Sequence, residues 1–281
     1  MPTRRNATST RAGILRPEEF ARHVSVERTE TTPELSAWVE YHWTLAWDLP
    51  DDTTYLSEVL PHPAANLSVE HGAARTEAAG EVVLVTGVTT RRFDVEVRGR
   101  GWVHGVKLRP GGLVALSGTD AKALVDRTVP ARDVLPAPVQ QALGRLGPGT
   151  AAGEATRVAC AALRPLVPST PDAAYDLLLH VVEDMLGGSG DPPLRVEQVA
   201  ERHALSRRAL ERLFARFVGV GPKWVLARYR MHDVVTALDS GYDGSLADLA
   251  AAYGWFDQAH FGRDFAALVG VAPSDYRARR Q

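Results

Sequence analysis

Apolar positions change their spacing along this chain, and the change divides it. Val39, Tyr41, Trp43, Leu45 and Trp47 alternate with Glu40, His42, Thr44, Ala46 and Asp48, the period of two expected of a half-buried strand. Strand-like runs also cover 66–69, 81–86, 93–97 and 102–108, parted by His71-Gly72, Gly99-Arg100-Gly101 and Pro110-Gly111-Gly112. Several short strands predict a small barrel or sandwich within residues 1–135. Beyond it, 137–146, 150–163 and 171–186 read as helices. The last carries Ala174, Leu177, Leu178, Val181, Val182 and Met185 on one face, for packing within the chain or against a second copy. Gly187-Gly188-Ser189-Gly190 before Pro192-Pro193 has the composition of a hinge, which sets 136–190 apart as a helical connector and 191–281 as a further domain.

In that domain one pattern is written twice. Phe217-Val218-Gly219-Val220-Gly221-Pro222 returns as Leu268-Val269-Gly270-Val271-Ala272-Pro273. Val196-Glu197-Gln198-Val199-Ala200 and Leu246-Ala247-Asp248-Leu249-Ala250 open the two copies. In the first, Leu210, Leu213, Phe214 and Phe217 form an apolar stripe behind the N-cap Ser206; in the second, Phe261, Phe265 and Leu268 do so behind Asp257. Ser245 and Asp248 suit a capping box, and Gly254 suits the intervening turn. Pro222 opens a longer joining helix with Ala227, Met231, Val234 and Leu238 along one side.

Each copy therefore predicts a helix, a turn and a second helix. The outward stripes of the second helices hold Arg208, Glu211, Arg212 and Ala215 in one and Gln258, Gly262, Arg263 and Ala266 in the other. Arginine pairs bidentately with guanine and glutamine with adenine, so these residue types suit major-groove readout. Ser206 and Arg207 begin the first candidate surface and Asp257 the second, while Arg228 and Arg230 of the joining helix are candidate phosphate contacts.

The run Ala251-Ala252-Tyr253-Gly254-Trp255-Phe256-Asp257-Gln258-Ala259-His260-Phe261-Gly262-Arg263-Asp264-Phe265, followed by Val271-Ala272-Pro273-Ser274-Asp275-Tyr276-Arg277, resembles the AraC/XylS-type transcriptional regulators. The resemblance spans Leu194 to Arg280. It implies two helix-turn-helix units entering successive major grooves of double-stranded DNA, with Arg208, Glu211 and Arg212 reading in the first and Gln258, Ala259 and Arg263 in the second. His260 and Asp264 fall beside that outward face, in structural or phosphate-proximal positions. Leu60 to Leu67 and Gly105 to Gly112 are similar to the cupin-like N-terminal domain of some such regulators. The fold class implied is α+β and multidomain: a small cupin-like β-barrel, a helical connector and an all-α module of two helix-turn-helix units. Implied partners are a small-molecule effector, a second copy, and RNA polymerase if the protein activates transcription.

Charge adds a mild asymmetry. Residues 192–281 hold 13 Lys and Arg against 10 Asp and Glu, whereas the remainder holds 19 against 24. Placement of arginines, more than net charge, thus has to attract phosphate. Apolar runs are too short for a membrane span, and the start, with Arg4, Arg5 and Arg11 but no apolar block, predicts a cytoplasmic protein. Cys160, the sole cysteine, excludes an intramolecular disulfide and reads as a small buried hydrophobe. Without a nucleophile elbow, a P-loop or a dinucleotide fingerprint, nothing points to an enzyme.

Tyr41, Trp43, Trp47 and Trp102 could wall an effector pocket, with His62 nearby and Arg109 to hold an anion, against plain core packing and a structural salt bridge. His42, His62, His71 and His104 lack paired metal-ligand spacing, so no metal or other cofactor is expected. The competing classes are an interaction adaptor that binds no DNA and a cupin-like effector binder with a metal site. Arg208, Arg212, Gln258 and Arg263 count against the first.

Overall fold

The computed structural model describes residues 13–72, 80–187 and 191–278, so Arg4, Arg5, Arg11, Arg280 and the glycines of the anticipated hinge at 188–190 lie outside the described residues. In chain order the N-terminal half runs α1 (Pro17–His23), β1 (Ser25–Thr29), β2 (Val39–Asp48), β3 (Thr54–Val59), β4 (Asn66–His71), β5 (Val83–Thr86), β6 (Phe93–Arg98), β7 (Arg100–Leu108), α2 (Gly112–Ser117) and β8 (Thr128–Pro130). Next come α3 (Ala137–Leu143), α4 (Ala152–Leu163) and α5 (Ala173–Met185).

The strands do not close into the expected barrel. A six-stranded antiparallel sheet has the order β1-β2-β7-β4-β5-β8, and β3 pairs with β6 in a separate two-stranded sheet. Among the described residues the end strands β1 and β8 do not meet, so the six-stranded sheet stays open. The β3–β6 pair lies over one of its faces instead, where Tyr55 and Val97 pack with Trp47, Val103 and Trp43.

Strand β2 obeys its period of two but is covered on both sides. Its supposedly outward face is covered at its middle: His42 is wholly buried, and Thr44 nearly so, because α4 lies across them. His42 Nε2 sits 3.4 Å from Cys160 Sγ, and Thr44 Oγ1 sits 3.0 Å from His104 Nδ1. Burial among apolar neighbours pushes His42 down to about 3, with His104 contributing, and His104 itself to about 4.

The helices of 136–190 divide between the two halves. Val139 and Leu143 of α3 and Ala155, Ala159 and Leu163 of α4 join the sheet core, whereas Tyr175, Leu178, Val181, Val182 and Met185 of α5 pack within the chain on the C-terminal helices. Asp172 caps α5 by accepting from the Ala174 N–H at 2.9 Å.

Those helices are α6 (Val196–Arg202), α7 (Arg207–Phe217), α8 (Pro222–Asp239), α9 (Leu246–Ala252), α10 (Gln258–Val269) and α11 (Pro273–Ala278). α8 contributes Val225, Leu226 and Tyr229 to one core and Met231, Val234, Val235 and Leu238 to the next, so its buried surface is broader than a single stripe. Each repeated Gly turn also abuts the β half. A Cβ on Gly219 would lie 2.8 Å from the Ala121 carbonyl oxygen, and one on Gly270 2.5 Å from an Arg92 guanidinium nitrogen. Both glycines have left-handed backbone, φ +82° and +87°.

Candidate nucleic-acid interface

The two helix-turn-helix units repeat bond for bond. In the first, the Ala204 N–H donates to Glu201 at 3.1 Å and the Leu205 N–H to Ala200 at 2.8 Å. In the second, Gly254 donates to Ala251 at 3.0 Å and Trp255 to Ala250 at 2.9 Å. Ser206 Oγ then accepts from the Ala209 N–H at 3.2 Å, and the Asp257 carboxylate from the His260 N–H at 2.6 Å, starting α7 and α10. The anticipated inner stripes are the buried ones: Leu210, Leu213, Phe214 and Phe217 in α7, and Phe261, Phe265 and Leu268 in α10.

The outward stripes are open to solvent. Ser206, Arg207, Arg208, Glu211 and Arg212 are exposed on α7 and its cap, as are Asp257, Gln258, Ala259 and Arg263 on α10, with Gly262 half-buried. Arg207 is tied across one turn to Glu211 at 3.0 Å and also reaches Glu197 at 3.5 Å. Glu211 thereby offsets part of the positive charge beside Arg208 and Arg212. Asp264 accepts from the Trp255 indole N–H at 2.9 Å, which fixes the second turn.

Arg228 and Arg230 occupy different surroundings from the open faces. Arg228 is half-buried with its guanidinium 4.9 Å from the centre of the Trp224 ring, and burial lowers its pKa. Arg230 stacks 4.3 Å from the Trp255 ring centre and donates to the Leu194 carbonyl at 3.4 Å. Both guanidinium groups are packed on tryptophan rings of the module.

A cavity of about 220 Å³ lies between the two sheets of the β half. Tyr41, Trp43 and His62 of the anticipated effector set line it together with Trp47. Trp102 and Arg109 do not: on β7 the period of two sends Val103 and Lys107 to the cavity and Trp102 into the opposite core, and Arg109 donates to the Ser36 carbonyl at 2.6 Å. Two glycines make the wall. β2–β7 register sets Trp43 opposite Gly105 and Trp47 opposite Gly101, where a Cβ would fall within about 2 Å of each indole ring.

Polar groups that sequence reasoning did not single out also face this space. Lys107, nearly buried, lies 3.4 Å from Glu40 and 3.3 Å from His62 Nδ1. Arg28 lies over the Tyr41 ring at 3.1 Å, and Ser68 donates to the buried Glu70 at 2.6 Å. Only the strand register gathers them, so no local motif announces the set. His62 in turn stacks on His232 of α8 with ring centres 4.2 Å apart, and the His232 Nε2–H donates to the Pro61 carbonyl at 2.9 Å. Full burial pushes His232 down to about 4.

Among the described residues no group of three or more His, Cys, Asp or Glu side chains could hold a metal ion, and no helix is long and apolar enough to cross a membrane.

Comparison with known proteins bears on both halves. Residues 199–279 match the family described as "Helix-turn-helix domain", and residues 27–130 match "Domain of unknown function (DUF6597)". The chain is 31% identical over 113 residues to the HTH-type transcriptional activator RhaR of Pectobacterium carotovorum subsp. carotovorum (strain PC1), covering 40% of this chain and 39% of that protein. It is 30% identical over 113 residues to a putative AraC-like transcription regulator of Streptomyces lividans, covering 35% and 37%. The chain thus spans about two fifths of the length of the curated relatives it matches. Apo ToxT from Vibrio cholerae strain SCE256 aligns at 12% identity and a TM-score of 0.42, over 89% of this chain and 98% of that one. The duplicated C-terminal module is therefore a helix-turn-helix domain of the AraC type, preceded in the same chain by a DUF6597 domain.

Proposed function

We propose that the protein is a sequence-specific, DNA-binding transcriptional regulator whose α7 and α10 read successive major grooves. The observation that carries this reading is the matched pair of open faces, Arg208 and Arg212 on one unit and Gln258 and Arg263 on the other, each following a side-chain-capped turn. Arginine on both faces argues against a DNA-independent adaptor. The relatives' printed names favour regulation over catalysis.

The β half would take a small molecule with an apolar body into the cavity walled by Tyr41, Trp43 and Trp47, with Lys107, Arg28 or Glu70 to meet a polar end. Its wall touches α8 through His62 and His232, which links occupancy to the helix joining both units. Assembly as a dimer in the cytoplasm, and contact with RNA polymerase in an activator, belong to the same proposal.

Selection of bound duplexes from a random pool tests the main reading. Arg212→Ala and Arg263→Ala should each relax preference in a different half of the recovered site, about one helical turn (~10 bp) apart. Recovery of the wild-type motif by both variants would remove those residues from the reading role.

A further inference from the structure

The repeat between the two units is broken at one place. His203, Ala204 and Leu205 correspond to Tyr253, Gly254 and Trp255 at a spacing of 50, and their backbone hydrogen bonds correspond too. From the caps onward, Ser206 with Asp257, Leu210 with Phe261 and Gly219 with Gly270, the spacing is 51. The additional residue is Phe256.

Phe256 is also the most solvent-exposed large apolar side chain among the described residues. It is 93% exposed, against 47% for Val26 and 44% for Leu56. Isolated surface apolar residues need no explanation, but this one is an insertion held between two fixed neighbours. Trp255 is buried with its indole bonded to Asp264, and the Asp257 carboxylate is engaged by the His260 N–H at 2.6 Å. The turn thus holds an aromatic ring in water at the start of α10, beside Gln258. A recognition helix enters the groove by its N-terminal residues, and the one strongly apolar group on major-groove base edges is the thymine 5-methyl.

We propose that Phe256 is a specificity-determining residue that packs against thymine methyl groups in the half-site read by α10. The inference rests on the DNA-binding reading above. It also gives the second unit a discriminating contact that the first has no residue to make.

The test uses the full chain and the duplex it recovers from a random pool. Each thymine in the half-site whose preference Arg263→Ala relaxes is replaced singly by deoxyuridine, which removes only the methyl. Wild-type protein should lose about fourfold in affinity at one or two positions, the value of one buried methyl-sized group. Phe256→Ala should bind the thymine duplex about fourfold more weakly and be indifferent to the uridine replacements, while Phe256→Leu should keep part of the thymine preference.

Equal thymine-to-uridine ratios for wild type and Phe256→Ala would overturn the proposal, as would a half-site without thymine. If Phe256→Ala instead leaves DNA binding intact and dissociates a dimer in sedimentation, the ring belongs to a contact between copies and the proposal fails. Failure of the wild-type chain to recover any common sequence would remove the DNA reading itself, and this inference with it.

Discussion

The first and second helix-turn-helix units share a backbone plan but distribute charge and apolar surface differently. α7 presents Arg207, Arg208, Arg212 and Arg216, with Arg207 paired to Glu211 and Arg216 to Asp172. α10 presents Gln258 and Arg263, with His260 and Asp264 3.3 Å apart, and is preceded by an exposed phenylalanine. The first outward face is thus mostly ionic, and the second mixes polar, ionic and apolar groups. The lesson is that duplication conserved the buried stripe and the caps while the outward chemistry diverged.

Core truncations probe the shared part and should have the largest effect. Phe214→Ala and Phe261→Ala each remove a wholly buried ring and should each cost about 3–5 kcal/mol in denaturant unfolding. A large inequality would show that the two cores do not support the fold equally.

Acid acts on the β half and on the joining helix α8. His42, His104 and His232 are held neutral by burial, to about 3, 4 and 4. The unfolded chain, with histidines near 6.5, therefore binds more protons, and stability falls as pH drops from about 6.5 toward 4. Each group contributes up to about 1.4 kcal/mol per pH unit over that window. Thermal melts from pH 7 to 4.5 should show the loss, and His42→Gln should reduce its slope. A slope unchanged by that substitution would mean that His42 already carries its proton in the folded protein.

DNA affinity tests the proposed role of the exposed arginines on each unit. Arg212→Ala and Arg263→Ala should each cost about 1–3 kcal/mol at fixed salt. Loss of a contact made only to phosphate should instead reduce the salt slope by about one while leaving sequence preference alone. Titrations at several salt concentrations distinguish these outcomes.

The caps should give the smallest effects. Ser206→Ala and Asp257→Ala each remove one acceptor from a helix start and should cost about 1 kcal/mol. Asp257→Asn should retain most of its stability, since the amide oxygen still accepts from His260. Thermal unfolding of the three variants checks this.

Much of the C-terminal module was legible because its determinants are local. Caps, Gly turns and apolar spacing lie within a few residues of one another, and they yielded the buried stripes of α7 and α10 before any tertiary information. The β half depends on pairings far apart in sequence. β1 and β8 are short and rich in polar or half-buried positions, so Ser25–Thr29 and Thr128–Pro130 carry no clear alternation. β3, Thr54–Val59, alternates over only its first four residues. Period two located β2 but could not say that α4 would cover His42 and Thr44. The cavity was half legible: its aromatic residues stand out by type, but Trp102 leaves the set and Lys107 enters it because β7 register decides which side each faces.

The turns at Gly219 and Gly270 tie α7 and α10 to the rest of the protein. Both elbows rest against the β half, at Ala121 and at Arg92, and Arg92 additionally donates to the Val269 carbonyl at 2.7 Å. The far ends of α7 and α10 therefore share one foundation. A side chain wedged into either elbow would meet Ala121 or Arg92 and press the halves apart, so the relative placement of α7 and α10 depends on residues remote from their exposed faces.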